Sequence, residues 1–312
     1  MQMGLVFRVV AGAVAVVVWL LVLTTAASFV FNVATSGQGK PVTALWHGRF
    51  IEADGVKTAY REWGSRGSPI VLIGGFVEPS FVWDGVAPLL ARNHRVYALD
   101  LDGFGYSQRR GPWTLTEWGS QVQDFMRALK IRRPVVVGHS LGAAVAVEIA
   151  RRKLASRIVL VDGDALGSGG APSFMRGIFA HTPFVTSALR LATRWNWPAK
   201  QLLQNAYAPD RPVITNAVIA QWTDPFRAEG ADHAIATMVS HPLQGVPRST
   251  LQKLDTKATV VWGSEDKVDD RSAGEQTAAD LRARFVSIPG TGHLSLLTQP
   301  QAVAHAIEQP PS

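Results

Sequence analysis

Residues 134–150 have the sequence PVVVGHSLGAAVAVEIA. The apolar run at 134–137 predicts a short buried strand, and the alanine-rich run that follows predicts a helix. The turn between them, residues 138–142, matches G-x-S-x-G. In a strand–turn–helix context, the glycines permit a sharp turn that exposes the hydroxyl of Ser140. The pattern therefore predicts a nucleophilic serine; the alternative is a glycine-rich turn that binds phosphate or has no function.

Short apolar runs alternate with helical patterns on both sides of this turn. Thr114 followed by Glu117 is typical of a helix start. Strands that alternate with helices predict βαβ units, so we expect an α/β fold with a mostly parallel central sheet flanked by helices. The predicted strands are residues 49–53, 57–63, 69–73, 94–100, 134–137, 157–161, 258–262 and 284–288; the predicted helices are residues 82–92, 115–129, 141–152, 271–282 and 294–307.

The alternation stops between residues 167 and 244. This stretch has helix-like patches, several prolines and scattered aromatic side chains, but no clear strand runs. We expect a helical cap inserted over the sheet, with residues 41–166 and 245–312 forming the core. Some of its aromatic residues should pack inside the cap, and others should line an apolar acyl pocket. These aromatic residues are Phe174, Phe179, Phe184, Trp195, Trp197, Trp222 and Phe226.

The N-terminal segment has no charged residue between positions 9 and 39, and residues 9–31 are almost entirely apolar. About 20 apolar residues in a helix cross a hydrocarbon core of roughly 30 Å. Arg8 and the small residues at 25–27 also fit a cleavable signal peptide, but the apolar stretch exceeds the usual 7–15 residues of such peptides. We therefore expect residues 1–40 to be a retained transmembrane signal-anchor and linker, with cleavage and secretion as the alternative.

Composition and charge restrict the possible functions. The chain has 312 residues, of which 47% are hydrophobic and 18% charged, so it can bury a sizeable core. The absence of cysteine excludes disulfides, zinc–thiolate sites and cysteine nucleophiles. The net charge is +7, but Lys and Arg are scattered, so we expect no nucleic-acid partner. Attraction to anionic lipid headgroups suits the apolar N-terminal segment better. Basic residues flank that segment almost equally, so they do not determine its orientation in the membrane. Because a domain that follows an N-terminal span is usually exported, we expect the downstream domain to lie outside the cytoplasm.

A serine nucleophile needs a base that a third group orients. His293, in the sequence PGTGH directly after the last predicted strand, is the best candidate base. His139 is adjacent to Ser140, but its side chain should point away and pack beside the turn. Asp266 follows the strand at 258–262, where a carboxylate can accept a hydrogen bond from the other ring nitrogen of the base. The rival acidic residues are Glu265, Asp269, Asp270, Asp162 and Asp164.

The order serine, aspartate, histidine and the surrounding motifs resemble the α/β-hydrolases, and the likeness extends over about residues 49–307. Residues 74–83, GGFVEPSFVW, resemble the family's first oxyanion loop, and residues 100–107, DLDGFGYS, resemble its loop after the fourth strand. The resemblance implies an oxyanion hole formed by the backbone N–H groups of Leu141 and Phe76. Members often have His-Gly where this chain has Gly-Gly, so the hydrogen bonding behind the oxyanion loop need not follow the family.

The resemblance also implies an activity. Ser140 argues against dehalogenases and epoxide hydrolases of this fold, which carry aspartate as nucleophile. We expect a carboxylic ester hydrolase that forms an acyl-enzyme without a metal or cofactor. Its substrate would be a small-molecule or lipid acyl ester, in an arrangement similar to membrane-anchored monoacylglycerol lipases. A C–C bond hydrolase, perhydrolase, amidase or non-catalytic ligand-binding member of the fold remains the alternative.

Overall fold

Eight strands form one sheet in the computed structural model, which describes residues 2–166, 183–192, 196–210, 212–241 and 245–309. The strands are β1 Arg49–Ala53, β2 Val56–Trp63, β3 Pro69–Ile73, β4 Arg95–Leu99, β5 Val135–His139, β6 Arg157–Val161, β7 Ala258–Gly263 and β8 Arg284–Ile288. Their order is β1-β2-β4-β3-β5-β6-β7-β8. Strands β1, β2 and β4 pair antiparallel, and all other pairs are parallel. The predicted mostly parallel sheet is confirmed.

Helices cover both faces of this sheet, and two of them precede the first strand in the chain. They are α1 Gln2–Ala34, α2 Val42–Leu45, α3 Ala87–Leu90, α4 Leu115–Ala128, α5 Leu141–Arg151, α6 Phe184–Ala192, α7 Asn196–Ala206, α8 Asn216–Thr223, α9 Ala231–Ser240, α10 Arg248–Gln252, α11 Arg271–Asp280, α12 Ser295–Thr298 and α13 Pro300–Glu308. Helix α4 begins where predicted, because the Thr114 side chain accepts a hydrogen bond from the Glu117 amide at 3.3 Å.

The core lies in two apolar layers, one on each side of the sheet. Trp118 and Phe125 of α4 belong to the layer that includes α5. Trp83, Val303 and Ile307 belong to the opposite layer, beside α3 and α13. Because both sheet faces are covered, the parallel strands are almost continuously apolar, as in β5 and β6. These layers fix the ends of the parallel strands and the loops that follow them.

Two predicted helices are interrupted, and proline explains both differences. The helix predicted at 82–92 is a 3₁₀ turn at Ser80–Trp83 followed by α3, which has Pro88 in its first turn. The helix predicted at 294–307 is split into α12 and α13 at Pro300. Proline lacks an N–H and disfavours helical conformation in the residue before it. Gln299 accordingly leaves the helical region, with φ −132° and ψ 55°.

The described part of residues 167–244 is helical, with α6 to α9 and a 3₁₀ turn at Asp224–Arg227. Ala199, Leu203, Ile214 and Ile219 form a small buried cluster there, separate from the two layers of the sheet. A single β-bridge joins Ala228 to Lys40, just after α1. Phe174, Phe179 and Trp195, which sequence analysis assigned to the cap, lie outside the described residues.

Helix α1 is one continuous helix whose end contacts the helix α6. Within it, residues Val10–Ala34 are long and apolar enough to cross a membrane. Asn32 Nδ2 donates to the Pro183 carbonyl at 2.8 Å, and Ser187 Oγ bonds to Asn32 Oδ1 at 3.0 Å. Arg190 adds a bond to Thr35 Oγ1 at 2.7 Å. The end of the apolar helix is therefore fixed to α6 and to Pro183, which directly precedes it.

Candidate active site

Ser140 lies at the tip of a strained turn between β5 and α5. Its φ of 50° and ψ of −120° are in a region that L-residues rarely adopt. The turn closes so tightly that a Cβ on Gly138 would lie 2.0 Å from the Gly142 carbonyl oxygen. A Cβ on Gly142 would lie 2.6 Å from the Ile73 carbonyl oxygen. Both glycines of the motif are thus required by close backbone approach, and Ser140 is held above the strand end.

A cavity of about 530 Å³ opens above Ser140. Ser140 and His293 both line it, and most of the other lining side chains are apolar. Helices α7 and α8 contribute part of its wall. Of the four described aromatic residues predicted to pack in the cap or line a pocket, Trp222 lines this cavity; Phe184, Trp197 and Phe226 do not, and Trp197 is 75% exposed. The other lining residues are Phe76, Val77, Glu78, Leu141, Ala144, Gly163, Asp164, Ala165, Leu202, Leu203, Ala206, Val268, Asp269 and Leu294.

The structure brings His293 and Asp266 together. His293 Nδ1 lies 2.8 Å from Asp266 Oδ2, and the Asp266 side chain is fully buried. Asp266 Oδ1 accepts from the Val268 amide at 2.8 Å and the Asp269 amide at 3.2 Å. The carboxylate is therefore fixed in place, and it leaves Nε2 as the basic nitrogen of His293. Ser140 and His293 share the cavity but are not hydrogen-bonded to each other in the described structure, a spacing that free enzymes often close on binding substrate.

Among the described residues, none of the rival acidic side chains is hydrogen-bonded to the ring of His293. Glu265 is exposed, and Asp270 caps α11 by accepting from the Ser272 amide. Asp164 accepts from the Leu166 amide, while Asp269 lines the cavity. Asp162 is buried and bonds to Ser295 Oγ and to the Gly263 amide. Within the described ranges, no cluster of three or more acidic or histidine side chains is placed to hold a metal ion.

Two backbone N–H groups beside Ser140 suit an oxyanion. Leu141 is the first residue of α5, so its N–H has no partner within the helix. The Phe76 N–H likewise makes no hydrogen bond to any described residue. The loop that carries Phe76 packs against the turn at residues 138–142, called the elbow below, since a Cβ on Gly75 would lie 2.9 Å from the Ser140 Cβ. Unpaired donors at a helix N-terminus are suited to stabilise developing negative charge.

Three residues behind this site, Gly163, His139 and Glu78, have contacts that sequence analysis did not predict. A Cβ on Gly163, which follows β6, would lie 2.4 Å from the Ser140 carbonyl oxygen, so only glycine fits there. The His139 side chain points away from the cavity, as predicted, but its ring also connects two other segments of the chain. Nδ1 lies 2.8 Å from Glu78 Oε2, and Nε2 lies 2.8 Å from the His293 carbonyl oxygen. The adjacency of the motif histidine to Ser140 was the available signal for His139; nothing local indicated Glu78.

The electrostatics of this buried cluster keep His139 protonated. Burial alone would lower the pKa of His139, but the charge and hydrogen bond of Glu78, the charge of Asp162 and the His293 carbonyl raise it to about 9. Burial would raise the pKa of Glu78; the charge and hydrogen bond of His139 outweigh it and lower that pKa. Burial raises the pKa of Asp162 to about 6 against the opposing charge of His139.

The raised pKa of His139 predicts a pH-dependent stability. Between about pH 6.5 and 9 the folded state binds a proton on His139 that the unfolded state releases, so folding stability falls as pH rises through this window. Asp162 acts in the same direction, but between about pH 4 and 6. Thermal unfolding of the full chain from pH 6 to 9.5 should show a steeper fall in Tm for the wild type than for His139→Gln. Parallel profiles would show that His139 is not protonated in the folded protein.

A family profile and several known proteins match the sequence of this chain. The sequence profile of the alpha/beta hydrolase family matches residues 70–306. The uncharacterized hydrolase YugF of Bacillus subtilis (strain 168) is 26% identical over 265 residues, covering 83% of this chain and 96% of that protein. The 2-hydroxy-6-oxo-6-(2'-aminophenyl)hexa-2,4-dienoic acid hydrolase of Metapseudomonas resinovorans is 35% identical over 129 residues, 39% of this chain and 42% of that protein.

A solved structure extends the likeness to the N-terminal region. A membrane phospholipase A, described as a bacterial virulence factor, is 24% identical with a TM-score of 0.65. The match covers 98% of this chain and 96% of that one, and at this identity it shows a shared fold. The family profile spans most of the chain, from β3 to α13. The protein therefore belongs to the alpha/beta hydrolase family.

Proposed function

We propose that this protein is a serine hydrolase that cleaves a carboxylic ester through Ser140, His293 and Asp266. One observation carries the proposal. Ser140 is held in a strained elbow that lines the same cavity as His293, and the ring of His293 is oriented by the buried Asp266 at 2.8 Å. A serine, a base and an orienting carboxylate in this relation are the parts that acyl transfer requires.

The mechanism follows from these positions. Ser140 Oγ attacks the ester carbonyl carbon while His293 Nε2 takes the hydroxyl proton, and Asp266 stabilises the resulting imidazolium. The N–H groups of Phe76 and Leu141 bind the oxyanion. When the tetrahedral intermediate collapses, the C–O bond to the leaving alcohol breaks and the alcohol receives the proton from His293. Water, deprotonated by His293, then attacks the acyl-serine; the bond from the acyl carbon to Ser140 Oγ breaks, Oγ takes the proton back from His293, and the carboxylic acid is released.

We propose a lipid or other long-chain acyl ester as substrate. The cavity beside Ser140 has mainly apolar walls, with Leu202 and Leu203 from α7 and Trp222 from α8. An apolar wall favours an acyl chain over a charged or strongly polar group, because each methylene removed from water contributes about 0.8 kcal/mol. Residues 167–244 would then form a cap that supplies the acyl pocket, over a core of residues 41–166 and 245–312.

We further propose that α1 is a retained membrane anchor with the hydrolase domain outside the cytoplasm. The contacts of Ser28, Asn32 and Thr35 with the cap lie beyond residues 25–27, so a chain cleaved there would keep them. Support for retention comes instead from the 25 residues of apolar helix, which exceed a signal peptide's apolar region. The intact mass of protein extracted from membranes tests this: a mass lacking residues 1–27 would overturn retention.

A specific relative favours a second candidate. The 129 residues matched by the hexadienoic acid hydrolase support hydrolysis of a C–C bond beside a carbonyl as the alternative activity. The same serine, base and oxyanion donors would serve that reaction, as they would in an amidase or a perhydrolase. A non-catalytic ligand-binding member would instead keep the cavity without turnover. The preference for esters rests on the apolar cavity and on α1.

A series of p-nitrophenyl esters from acetate to laurate tests the proposal with the full-length chain in detergent. We expect kcat/KM to rise at least about tenfold from the two-carbon to the eight-carbon acyl group, because the cavity buries added methylenes. The Ser140→Ala variant provides the blank for micelle-catalysed and spontaneous hydrolysis. A flat profile would contradict the acyl pocket, and no turnover of any ester by folded protein would contradict the ester assignment.

A further inference from the structure

Three separate segments of the chain meet at the buried ring of His139. The first is the oxyanion loop, through Glu78; the second is the elbow itself, since His139 directly precedes Ser140; the third is the base loop, through the main-chain carbonyl of His293. The His139 side chain is fully buried, and Glu78 is 7% exposed. The ring of His139 lies 5.0 Å from that of His293, centroid to centroid.

The hydrogen-bond pattern fixes the charge of this bridge. A neutral imidazole has one N–H donor and one acceptor nitrogen, whereas both nitrogens of His139 face acceptors, a carboxylate and a carbonyl. With Glu78 ionised, satisfying both acceptors requires two N–H groups, which is the imidazolium form. Glu78 Oε2 accepts in addition from the Gly75 amide at 2.6 Å, consistent with an ionised carboxylate. The pair is thus a buried ion pair with both partners hydrogen-bonded further.

We propose that Glu78 and His139 are positioning residues, a buried ionic clamp that holds the oxyanion loop and the main chain of His293 in place around Ser140. This inference rests on the proposed serine hydrolase function and goes beyond it. Glu78 lines the cavity, but the oxygen that forms the clamp, Oε2, is already bonded to His139 and to the Gly75 amide. Each acts through another: Glu78 through the peptide of Gly75, next to the Phe76 N–H, and His139 through the backbone of the base.

The clamp complements the triad because Asp266 and His139 fix different parts of the same residue. Asp266 orients the His293 ring through Nδ1, while Nε2 of His139 donates to the His293 carbonyl oxygen. Asp162 lies 3.9 Å from His139 Nε2 and is itself bonded to Ser295 and Gly263, so it closes the cluster on the side of β7. A misplacement of about 1 Å in such a site lowers turnover about 100-fold.

Two variants test the clamp. Glu78→Gln keeps the size and an acceptor for the Gly75 amide but removes the charge, and His139→Gln cannot span both partners. For each, with a short soluble ester, we expect kcat to fall about 10- to 100-fold while KM changes less than about threefold. The double variant should lose about as much as either single variant, because the two residues act as one unit.

Glu148→Gln is the matched control. Glu148 is also a buried carboxylate, on α5, but its ion pairs with Arg151 and Arg152 lie away from the cavity. This change should lower Tm without changing kcat. If Glu78→Gln behaves like Glu148→Gln, losing stability with kcat preserved, the pair is only structural and the proposal is wrong.

A readout independent of turnover separates this inference from the proposed function. Amide hydrogen exchange of the full chain, followed by mass spectrometry, should speed up at residues 74–78 and 292–294 together in Glu78→Gln, and not in Glu148→Gln. Faster exchange in Glu78→Gln together with an inactive wild type would contradict the hydrolase function and support the clamp. An active wild type whose Glu78→Gln variant shows no faster exchange would support the hydrolase function and contradict the clamp. If both clamp variants fail to fold, the ¹⁵N shifts of the wild-type His139 ring decide, since a neutral ring at pH 7 excludes the ion pair.

Discussion

Ser140→Ala should lower kcat for ester hydrolysis by about 10⁴-fold or more, leaving the fold and the Tm within a few degrees of wild type. The hydroxyl oxygen is the only heavy atom removed, and the Ser140 side chain makes no capping hydrogen bond to α5. The backbone of the elbow is held by the Ser140 amide, which donates to the Val161 carbonyl at 3.0 Å and is untouched by the change. Steady-state kinetics on the best ester of the series measures the effect.

Ser120→Ala is the control for this prediction. Ser120 is a half-exposed serine on α4 whose hydroxyl bonds to the Thr116 carbonyl, so its loss should leave kcat unchanged. A Ser140→Ala protein that keeps a tenth or more of wild-type turnover would show that the reaction does not pass through an acyl-serine. In that case the elbow would be a glycine-rich turn without catalytic use.

Asp266→Asn should lower kcat by about 10³-fold with little change in KM. The carboxylate accepts from His293 Nδ1 and fixes which ring nitrogen carries the proton. An asparagine amide can turn its NH₂ group toward Nδ1, which would place the ring proton on Nε2 and abolish its role as a base. It would also remove the negative charge that stabilises the imidazolium. The effect appears in kcat because the ring acts in the transition state more than in substrate binding.

Asp270→Asn is the matched comparison for Asp266→Asn. Asp270 lies four residues later, is exposed, and caps α11 with a side-chain oxygen that asparagine also supplies. We expect its kcat within about twofold of wild type. Equal losses in the two variants, or a loss confined to one of the rival acidic residues, would assign the orienting role elsewhere.

The centre of the sheet was predictable because its strands are short apolar runs that are buried on both faces. β3 and β6 have the predicted bounds, since both are apolar runs with loop residues on either side. The helices were less predictable, and the predictions that were wrong lie at proline residues. Pro88 and Pro300 each stand inside an apolar pattern of helical period, and the period alone does not show that a helix must restart there.

The candidate site was predictable where its residues follow strand ends, and hidden where it depends on contacts across the chain. Ser140, Asp266 and His293 each follow a parallel strand, and such strand ends meet at one edge of the sheet. The Glu78–His139 pair joins residues 61 positions apart, and the bond from His139 to His293 joins residues 154 apart. No local pattern marks either contact. The roles of Ser140, Asp266, His293, Phe76 and Leu141 stay predictions until the variants are measured.

The most direct test of the account is the intact mass of the full-length, detergent-solubilised protein after treatment with a fluorophosphonate probe, beside Ser140→Ala. Fluorophosphonates phosphonylate a serine that a neighbouring base activates, which is the property the geometry around Ser140 provides. We predict one adduct on the wild type and none on the variant. Folded wild-type protein that gains no adduct, or a Ser140→Ala protein that gains the same adduct, would contradict the assignment of Ser140 as the nucleophile.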